Sequence, residues 1–359
     1  MDLEKPLCPY KAGFTVDIKE HVRPPPFGTG YYPVGDWPYD KVTDAMLRSM
    51  TLTELVMTSP PLESKTKPSA SFTPALATLT ITEAIVIKDG RGSQLAPCEV
   101  APQLPGQQPF SAVAKIFDPL YYSFRDKVAP SNPADVTLDA EVHYCSEAAG
   151  YEHLHRGGQT GFLAPKYYGS WTFTLPIRHE GVIRQRKVRM VLMEHLSGTC
   201  LHELCRKRQL ALRYHDSYRL GVLAAVLDAY VRLIHAGVEQ LDLAPRNVIL
   251  IPGPQDVPTP QPIPRVVLID YGEAVVYNRA KEEEKNKKSW EATKLPRNPA
   301  SYFWNYSLDD FGYWIPSAWD DNRRLKQEWL KEEFVGQKAS HYELPRKKLE
   351  LAPAPESTN

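Results

Sequence analysis

The stretch VEQLDLAPRNVILIPG, residues 238–253, places charged and amide side chains at the edge of an apolar segment. Asp242, Arg246 and Asn247 lie close together within it. A carboxylate can accept a proton or bind a metal ion, and an amide oxygen is a further metal ligand. Aspartate and asparagine are also common turn residues, and an arginine at this place can simply lie on the surface. The stretch is therefore either a candidate for chemistry or an ordinary turn.

Further charged residues lie inside apolar elements. In the strand pattern SAVAKIFD, Lys115 shares a face with Val113 and Phe117, although it can also be an edge-strand lysine. Glu147 lies on the apolar stripe of a predicted helix, either facing inward or at the margin of the stripe. Asp270 follows the apolar run RVVLI and can serve a site or cap a turn. Each of these residues alone fits a structural role. Evidence for a functional site therefore comes from their order along the chain.

The hydrophobic pattern divides the chain into four parts. Residues 1–75 are rich in Pro, Thr and Ser, and we predict a partly disordered N-terminal extension. Residues 76–197 alternate like β-strands around one helix, and residues 198–335 are mostly helical. Residues 336–359 form a polar tail. These patterns predict an α+β fold.

The composition argues against several classes of protein. The 359 residues include 43 Lys plus Arg and 43 Asp plus Glu, and this neutrality argues against a nucleic-acid binder. The 5 cysteines are scattered and lack zinc-ligand spacing. No apolar stretch has the length of a membrane span, and the N-terminus lacks the features of a secretion signal. We expect an intracellular protein, cytoplasmic or nuclear and not secreted, with neither nucleic acid nor membrane as a partner.

The order of the charged residues resembles a known pattern. A strand lysine, an inward helical glutamate, a D-L-x-x-x-N loop and a strand ending in D-x-G follow one another. The segments AVAKI, SEAAGYEHL, VLMEHLSG, DLAPRNVIL and LIDYGEA resemble the protein-kinase-like superfamily over residues 76–335. Within it they are most similar to fungal protein-kinase-like proteins near small kinases of the aminoglycoside phosphotransferase type. The resemblance implies a two-lobe protein-kinase-like fold, with an antiparallel sheet plus one helix in the N-lobe (76–197) and a mostly helical C-lobe (198–335).

The resemblance also implies ATP and Mg²⁺ as cofactors, because phosphoryl transfer depends on the placement of charge. Asp270 and Asn247 would be ligands of the metal ion. Lys115 would bind the α- and β-phosphates of ATP, and Glu147 would orient that lysine. Asp242 would accept the proton of the attacking hydroxyl group.

Other positions would bind the nucleotide itself. Gly90 and Gly92 of KDGRGSQLAP would form the remainder of a glycine-rich loop over the phosphates, although an ordinary hairpin turn fits them as well. Met193 occupies the gatekeeper position by resemblance. Glu194 and Leu196 would offer a backbone carbonyl and an N–H group to the adenine base.

Departures from the family pattern leave two functions open. Gln240 replaces the usual histidine, Leu95 stands where a third glycine would fall, and no A-P-E signature follows D-Y-G. Arg246 would supply a cation near the transferring phosphate, or it is a surface arginine. The first function is an ATP- and Mg²⁺-dependent phosphotransferase whose acceptor is a hydroxyl group of an unidentified protein or small molecule. The alternative is a pseudokinase, a nucleotide-binding interaction module without turnover.

Overall fold

The computed structural model describes residues 2–353 apart from 29, 36, 39–41, 66–72, 84, 86, 126–128, 130, 255–260, 282–292 and 346. Strands dominate the first half of the described chain, and helices dominate the second half. None of the described helices is both long enough and apolar enough to cross a membrane.

A closed barrel of antiparallel strands forms the first half. Its strands are β1 Thr15–Glu20, β2 Leu76–Ile81, β3 Gln94–Pro102, β4 Phe110–Phe117, β5 Tyr167–His179 and β6 Val182–Met193. They follow the order β1-β2-β3-β4-β6-β5 around the barrel. The strand β1 joins both edges, since Val16 is opposite Leu79 of β2 and Glu20 is opposite Trp171 of β5. Buried and less buried side chains alternate along β2, as the sequence pattern predicts.

The predicted fold class was wrong in its architecture. The protein is α+β, but the sheet is a closed six-stranded antiparallel barrel rather than the N-lobe sheet of a two-lobe protein-kinase-like fold. The physical reason is the strand β1, which the sequence pattern assigned to the N-terminal extension. By pairing with β2 on one side and β5 on the other, β1 leaves neither edge of the sheet free.

Helices and two small sheets make up the remainder of the described chain. The helices are α1 Asp44–Ser49, α2 Leu52–Thr58, α3 Val136–Arg156, α4 Leu201–Cys205, α5 Arg208–Ala211, α6 Asp216–His235, α7 Pro299–Phe303, α8 Ala318–Asp321 and α9 Arg323–Lys331. The small strands are β7 Thr199–Cys200, β8 Val238–Glu239, β9 Val248–Ile251, β10 Arg265–Leu268 and β11 Val275–Val276. They pair antiparallel in the orders β10-β9-β7 and β11-β8.

The long helix α3 packs against the barrel and carries one of the candidate residues. Its N-cap is Asp135, whose carboxylate accepts hydrogen bonds from the backbone N–H groups of Thr137 and Leu138. The helix contacts β4, β5 and β6 on one side and β8 and β11 on another. It therefore lies between the barrel and the helical half, where side chains from both can meet.

Residues assigned to the N-terminal extension and to the tail contribute to packing. The extension contains β1, α1 and α2, and its Tyr10, Ile18 and Phe27 are buried. In the tail, the carbonyl of Glu350 accepts a hydrogen bond from Trp304 Nε1, at 3.2 Å. Residues 354–359 lie outside the described residues. The domain limits after residues 75, 197 and 335 stay predictions.

A truncation of Ile18 tests the closure of the barrel. Ile18 of β1 is 1% exposed, and it packs in the cluster that includes Leu79 and Phe173. We expect Ile18→Ala to lower the free energy of unfolding by roughly 2–5 kcal/mol, because it removes buried methyl groups and leaves a cavity. Urea denaturation followed by circular dichroism measures this loss. Lys19→Ala, on the exposed face of the same strand, should change stability by less than about 0.5 kcal/mol. Equal effects of the two substitutions would contradict a closed barrel.

Candidate functional site

The ammonium group of Lys115 is at the centre of the candidate site. Lys115 lies in β4, which is paired with β3 on one side and β6 on the other, so it is not an edge-strand lysine. Its Nζ is 2.6 Å from Oε2 of Glu147 on α3 and 2.8 Å from Oδ1 of Asp270. The expected contact between Lys115 and Glu147 is therefore present, and the lysine also reaches the aspartate that follows β10.

Two carboxylates share this one cation, and their environments differ. Glu147 is fully buried, whereas the side chain of Asp270 is 48% exposed. Burial opposes the charge of Lys115, but the carboxylates of Asp270 and Glu147 outweigh it and raise the pKa of the lysine. Burial raises the pKa of Glu147 to about 7, against the opposing effect of Lys115. The charge of Lys115 lowers the pKa of Asp270. With one positive charge for two acids, Asp270 holds its negative charge more firmly than Glu147.

Glu147 also fixes the backbone after Asp270. Its Oε2 accepts a hydrogen bond from the N–H group of Tyr271 at 2.8 Å, while its Oε1 is buried without a hydrogen-bond partner in the described structure. The hydroxyl group of Tyr271 donates to the carbonyl of Leu268 at 3.0 Å. The hydroxyl group that distinguishes Tyr271 from the phenylalanine of D-F-G therefore has a hydrogen-bond partner, as a buried tyrosine usually does.

The backbone of Asp270 has a left-handed conformation, with φ of +66°. This conformation is uncommon for a residue other than glycine, although aspartate tolerates it better than most. The preceding residue, Ile269, donates its N–H group to the carbonyl of Asn247 at 3.0 Å. Asp270 therefore follows a residue that is hydrogen-bonded to the loop of Asp242 and Asn247.

In that loop, Asn247 and Arg246 both contact Asp242. Nδ2 of Asn247 donates to the carbonyl of Asp242 at 2.9 Å and to its Oδ2 at 2.8 Å. Nη2 of Arg246 is 2.5 Å from Oδ1 of Asp242, and the arginine side chain is 55% exposed. The backbone forms a short 3-10 helix at Pro245–Asn247, and the contacts of Asn247 and Arg246 orient the Asp242 carboxylate.

Gln240 connects the loop to the segment that carries Asp270. It is fully buried, and its Nε2 donates a hydrogen bond to the carbonyl of Ile269. The following residue, Leu241, has a positive φ of +64°. The side-chain hydrogen bond of the glutamine therefore joins the loop to the segment before Asp270.

The predicted glycine-rich segment forms a turn between β2 and β3. Gly90 and Gly92 have positive φ values of +78° and +116°, which side chains rarely adopt. The buried side chain of Gln94 closes the turn, donating to the carbonyl of Gly92 at 2.7 Å and accepting from the N–H group of Lys88 at 2.7 Å. Gly90 donates to the carbonyl of Tyr121 at 3.0 Å. The hairpin-turn interpretation holds, and a role in nucleotide binding stays a prediction.

The predicted adenine-binding residues follow the end of β6. Met193 is buried, and its Sδ is 3.3 Å from the hydroxyl oxygen of Tyr151 on α3. The N–H group of Glu194 donates to the carbonyl of Lys166 at 2.9 Å. The carbonyl of Leu196 accepts from the N–H group of Gly198 at 3.1 Å. The carbonyl of Glu194 and the N–H group of Leu196 stay the predicted contacts to the base.

The donor set suits a magnesium ion that arrives with phosphates. No group of three or more His, Cys, Asp or Glu side chains within the described ranges could hold a metal ion by itself. Because Nδ2 of Asn247 faces Asp242, its amide oxygen is the atom left for another partner. Oδ1 of Asp270 contacts Lys115, which leaves Oδ2. Magnesium commonly takes few protein ligands and completes its shell with water and substrate phosphates, so Asn247 and Asp270 fit it.

Sequence reasoning missed residues 21–28 and 30–35, a segment that packs against the elements of the site. The hydroxyl group of Tyr32 donates to the carbonyl of Ala274 at 2.7 Å and accepts from the N–H group of Val276 at 2.7 Å. Nδ1 of His21 is 2.7 Å from the hydroxyl oxygen of Tyr144 on α3. The segment is therefore hydrogen-bonded both to α3 and to the backbone that follows D-Y-G. The aromatic residues in HVRPPPFGTGYYP were the signal that could have predicted packing.

No protein-family model matches this sequence, and no curated protein matches it either. Among solved structures, one that is similar is the autoinhibited serine kinase domain of the giant muscle protein titin, with a TM-score of 0.33 and 12% sequence identity. The match covers 55% of this chain and 46% of that one, so the chain spans less than half of the kinase structure.

Proposed function

We propose that this protein is an ATP- and Mg²⁺-dependent phosphotransferase that acts on a hydroxyl group. The observation that supports it best is the contact of Lys115 with both Glu147 and Asp270, since these residues come from three distant parts of the chain. Lys115 is a buried cation between two acids, and one of them, Asp270, is half-exposed. This arrangement suits a polyphosphate with its metal ion. Asp242 and Asn247 lie on a loop that is hydrogen-bonded to the segment before Asp270.

Each residue has a defined task in this proposal. Lys115, oriented by Glu147, binds nucleotide phosphates, and the carboxylate of Asp242 accepts the proton of the attacking hydroxyl group. Asn247 and Asp270 hold the magnesium ion, which when bound neutralises charge on the phosphate oxygens. The hydrogen bond from Asn247 to Oδ2 of Asp242 keeps the carboxylate in place. The acceptor is a hydroxyl group on a protein or a small molecule.

A second candidate function is nucleotide binding without turnover. The observation that favours it is the contact of Arg246 with Asp242, at 2.5 Å. Oδ1 of Asp242 is engaged by Arg246 and Oδ2 by Asn247, so both oxygens of the carboxylate already have partners in this structure. In the phosphotransferase, Arg246 turns from Asp242 to the transferring phosphate when nucleotide is bound.

Thermal unfolding with Mg-ATP tests for the nucleotide site that both functions share. At about a hundred times its dissociation constant, Mg-ATP should add roughly 2.7 kcal/mol to the free energy of unfolding. For a chain of this size that corresponds to a rise in Tm of roughly 5–10 °C. Differential scanning fluorimetry with millimolar Mg-ATP measures the shift.

The controls use ATP without metal and Mg²⁺ without ATP, each of which should give a smaller shift. Lys115→Arg keeps the charge but changes its geometry, and we expect it to weaken the response to Mg-ATP. An unchanged Tm in millimolar Mg-ATP would exclude both functions.

A further inference from the structure

A large cavity lies in the helical half of the protein, apart from Lys115. Its volume is about 1050 Å³, at the upper end of the range for pockets that bind small molecules. The start of α6, the segment 305–320 and the first turn of α9 form its walls. We refer to it as the Lys326 cavity, after the lysine of α9 that lines it.

Lys326 is a buried cation without a close counter-charge. Only 7% of the residue is exposed, and its Nζ donates to the carbonyl of Tyr306 at 2.5 Å. Within the described ranges, no carboxylate forms an ion pair with it, and the acid whose charge it feels is Asp309. Burial, together with the nearby charge of Arg323, lowers the pKa of Lys326. An ammonium group has three N–H donors, so this one can still donate to a ligand in the cavity.

The other charges of the cavity leave one wall positive, and Arg208 adds a further cation to the lining. Arg219 forms an ion pair with Asp216 at 2.6 Å and donates to backbone carbonyls, so this pair is neutral. Arg323 lies three residues before Lys326 on the same face of α9, and it donates to the side chain of Asn305. The acids Asp309 and Asp320 also line the cavity, and they disfavour a ligand with many negative charges. The site therefore suits a ligand with one anionic group.

Tyr306 links the Lys326 cavity to the segment that precedes the loop of Asp242. The residue lines the cavity, and its ring is 6.5 Å from that of Tyr302, whose hydroxyl group donates to Glu239 at 2.5 Å. Burial and the charges of Asp310, Asp242 and Glu239 raise the pKa of the Tyr306 hydroxyl group. Through Tyr302, Tyr306 thus connects the wall of the cavity to Glu239, three residues before Asp242.

We infer that the Lys326 cavity binds the acceptor of the proposed phosphotransferase, a small molecule with one phosphate or carboxylate group and a free hydroxyl group. Lys326 and Arg323 hold the anionic group, and the hydroxyl group extends past Tyr306 towards the Asp242 carboxylate. In the transfer, the hydroxyl oxygen bonds to the γ-phosphorus of ATP, its proton passes to Asp242, and the bond to ADP breaks. This role rests on the proposed function, whereas the anion site can be tested without it.

The test measures anion binding directly, with inorganic phosphate and acetate as the two probes. Tm is recorded against probe concentration at constant ionic strength, so that general salt effects cancel. We expect saturable stabilisation of the wild-type protein by at least one probe, and the probe that acts identifies the ligand group as phosphate or carboxylate. Lys326→Met and Arg323→Gln should each weaken this binding about tenfold or more, because each removes a charged hydrogen-bond donor.

The matched control is Lys331→Gln, which removes a positive charge from the exposed end of the same helix and should leave binding unchanged. Arg323 is exposed, so Arg323→Gln keeps the test valid if Lys326→Met fails to fold. The anion site is overturned if neither probe stabilises the wild-type protein, or if all three variants respond equally. Phosphate or acetate binding in a protein that does not respond to Mg-ATP would retain the site and remove its role as an acceptor site.

Discussion

Replacing Asp242 by asparagine is expected to lower phosphoryl transfer by roughly 10²–10⁴-fold, the usual effect of losing a general base. Binding of Mg-ATP should persist, because Asn247, Asp270 and Lys115 remain in place. Asp270→Asn should instead reduce Mg²⁺-dependent ATP binding and transfer together, since the substitution weakens both a metal ligand and the partner of Lys115. The two amide variants thus separate proton transfer from nucleotide binding.

Hydrolysis of ATP and autophosphorylation provide the first assay, because they need no identified acceptor. Binding is measured in parallel by titration with Mg-ATP. Asp17→Asn, an exposed substitution on β1, is the matched control and should behave like the wild-type protein. A measurable rate that survives Asp242→Asn intact would rule out the role proposed for Asp242. A trace rate that is the same in the wild-type protein and both variants would favour nucleotide binding without turnover.

Replacing Lys115 by methionine is expected to lower the free energy of unfolding by roughly 3–5 kcal/mol above neutral pH, because the substitution leaves Glu147 buried without its counter-charge. The effect should depend on pH. The folded pKa of Glu147 lies near 7 even beside Lys115, above its ordinary value of 4.5, and loss of the lysine raises it further. The folded state therefore binds a proton that the unfolded state releases, so the stability of the variant falls as pH rises from about 4.5 through the folded pKa.

Urea denaturation at pH 5 and pH 8 measures this dependence, and the deficit relative to the wild-type protein should be larger at pH 8. Adding Glu147→Gln to Lys115→Met should recover most of the loss, because the amide oxygen can still accept the hydrogen bond of Tyr271. Lys187→Met removes a lysine from an exposed ion pair with Glu63 and should cost less than about 1 kcal/mol. A deficit that is equal at the two pH values would show that Glu147 is not its source.

The sequence alone predicted the residues of the candidate site and the elements that carry them. The period of two in SAVAKIFD placed Lys115 on an apolar face, and the stripe of α3 placed Glu147 inward. Both patterns depend on local geometry, which neighbouring residues fix. The order of lysine, glutamate, D-L-x-x-x-N and D-x-G then predicted which of these residues belong together.

Apart from the contact of Lys115 with Glu147, which the resemblance implied, the tertiary structure alone decided which distant segments meet. Alternation along β1 and β2 tells which side chains point inward, but it does not name the neighbouring strand, so the barrel closed by β1 was not predictable from it. The contact of Lys115 with Asp270 joins positions 155 residues apart in the chain. The roles of Tyr32 and Lys326 also depend on tertiary contacts. Tyr32 contacts the backbone at Ala274, and Lys326 lines a cavity that folding creates. Local periodicity fixes the direction of a side chain, whereas its partners depend on contacts that only the packed chain provides.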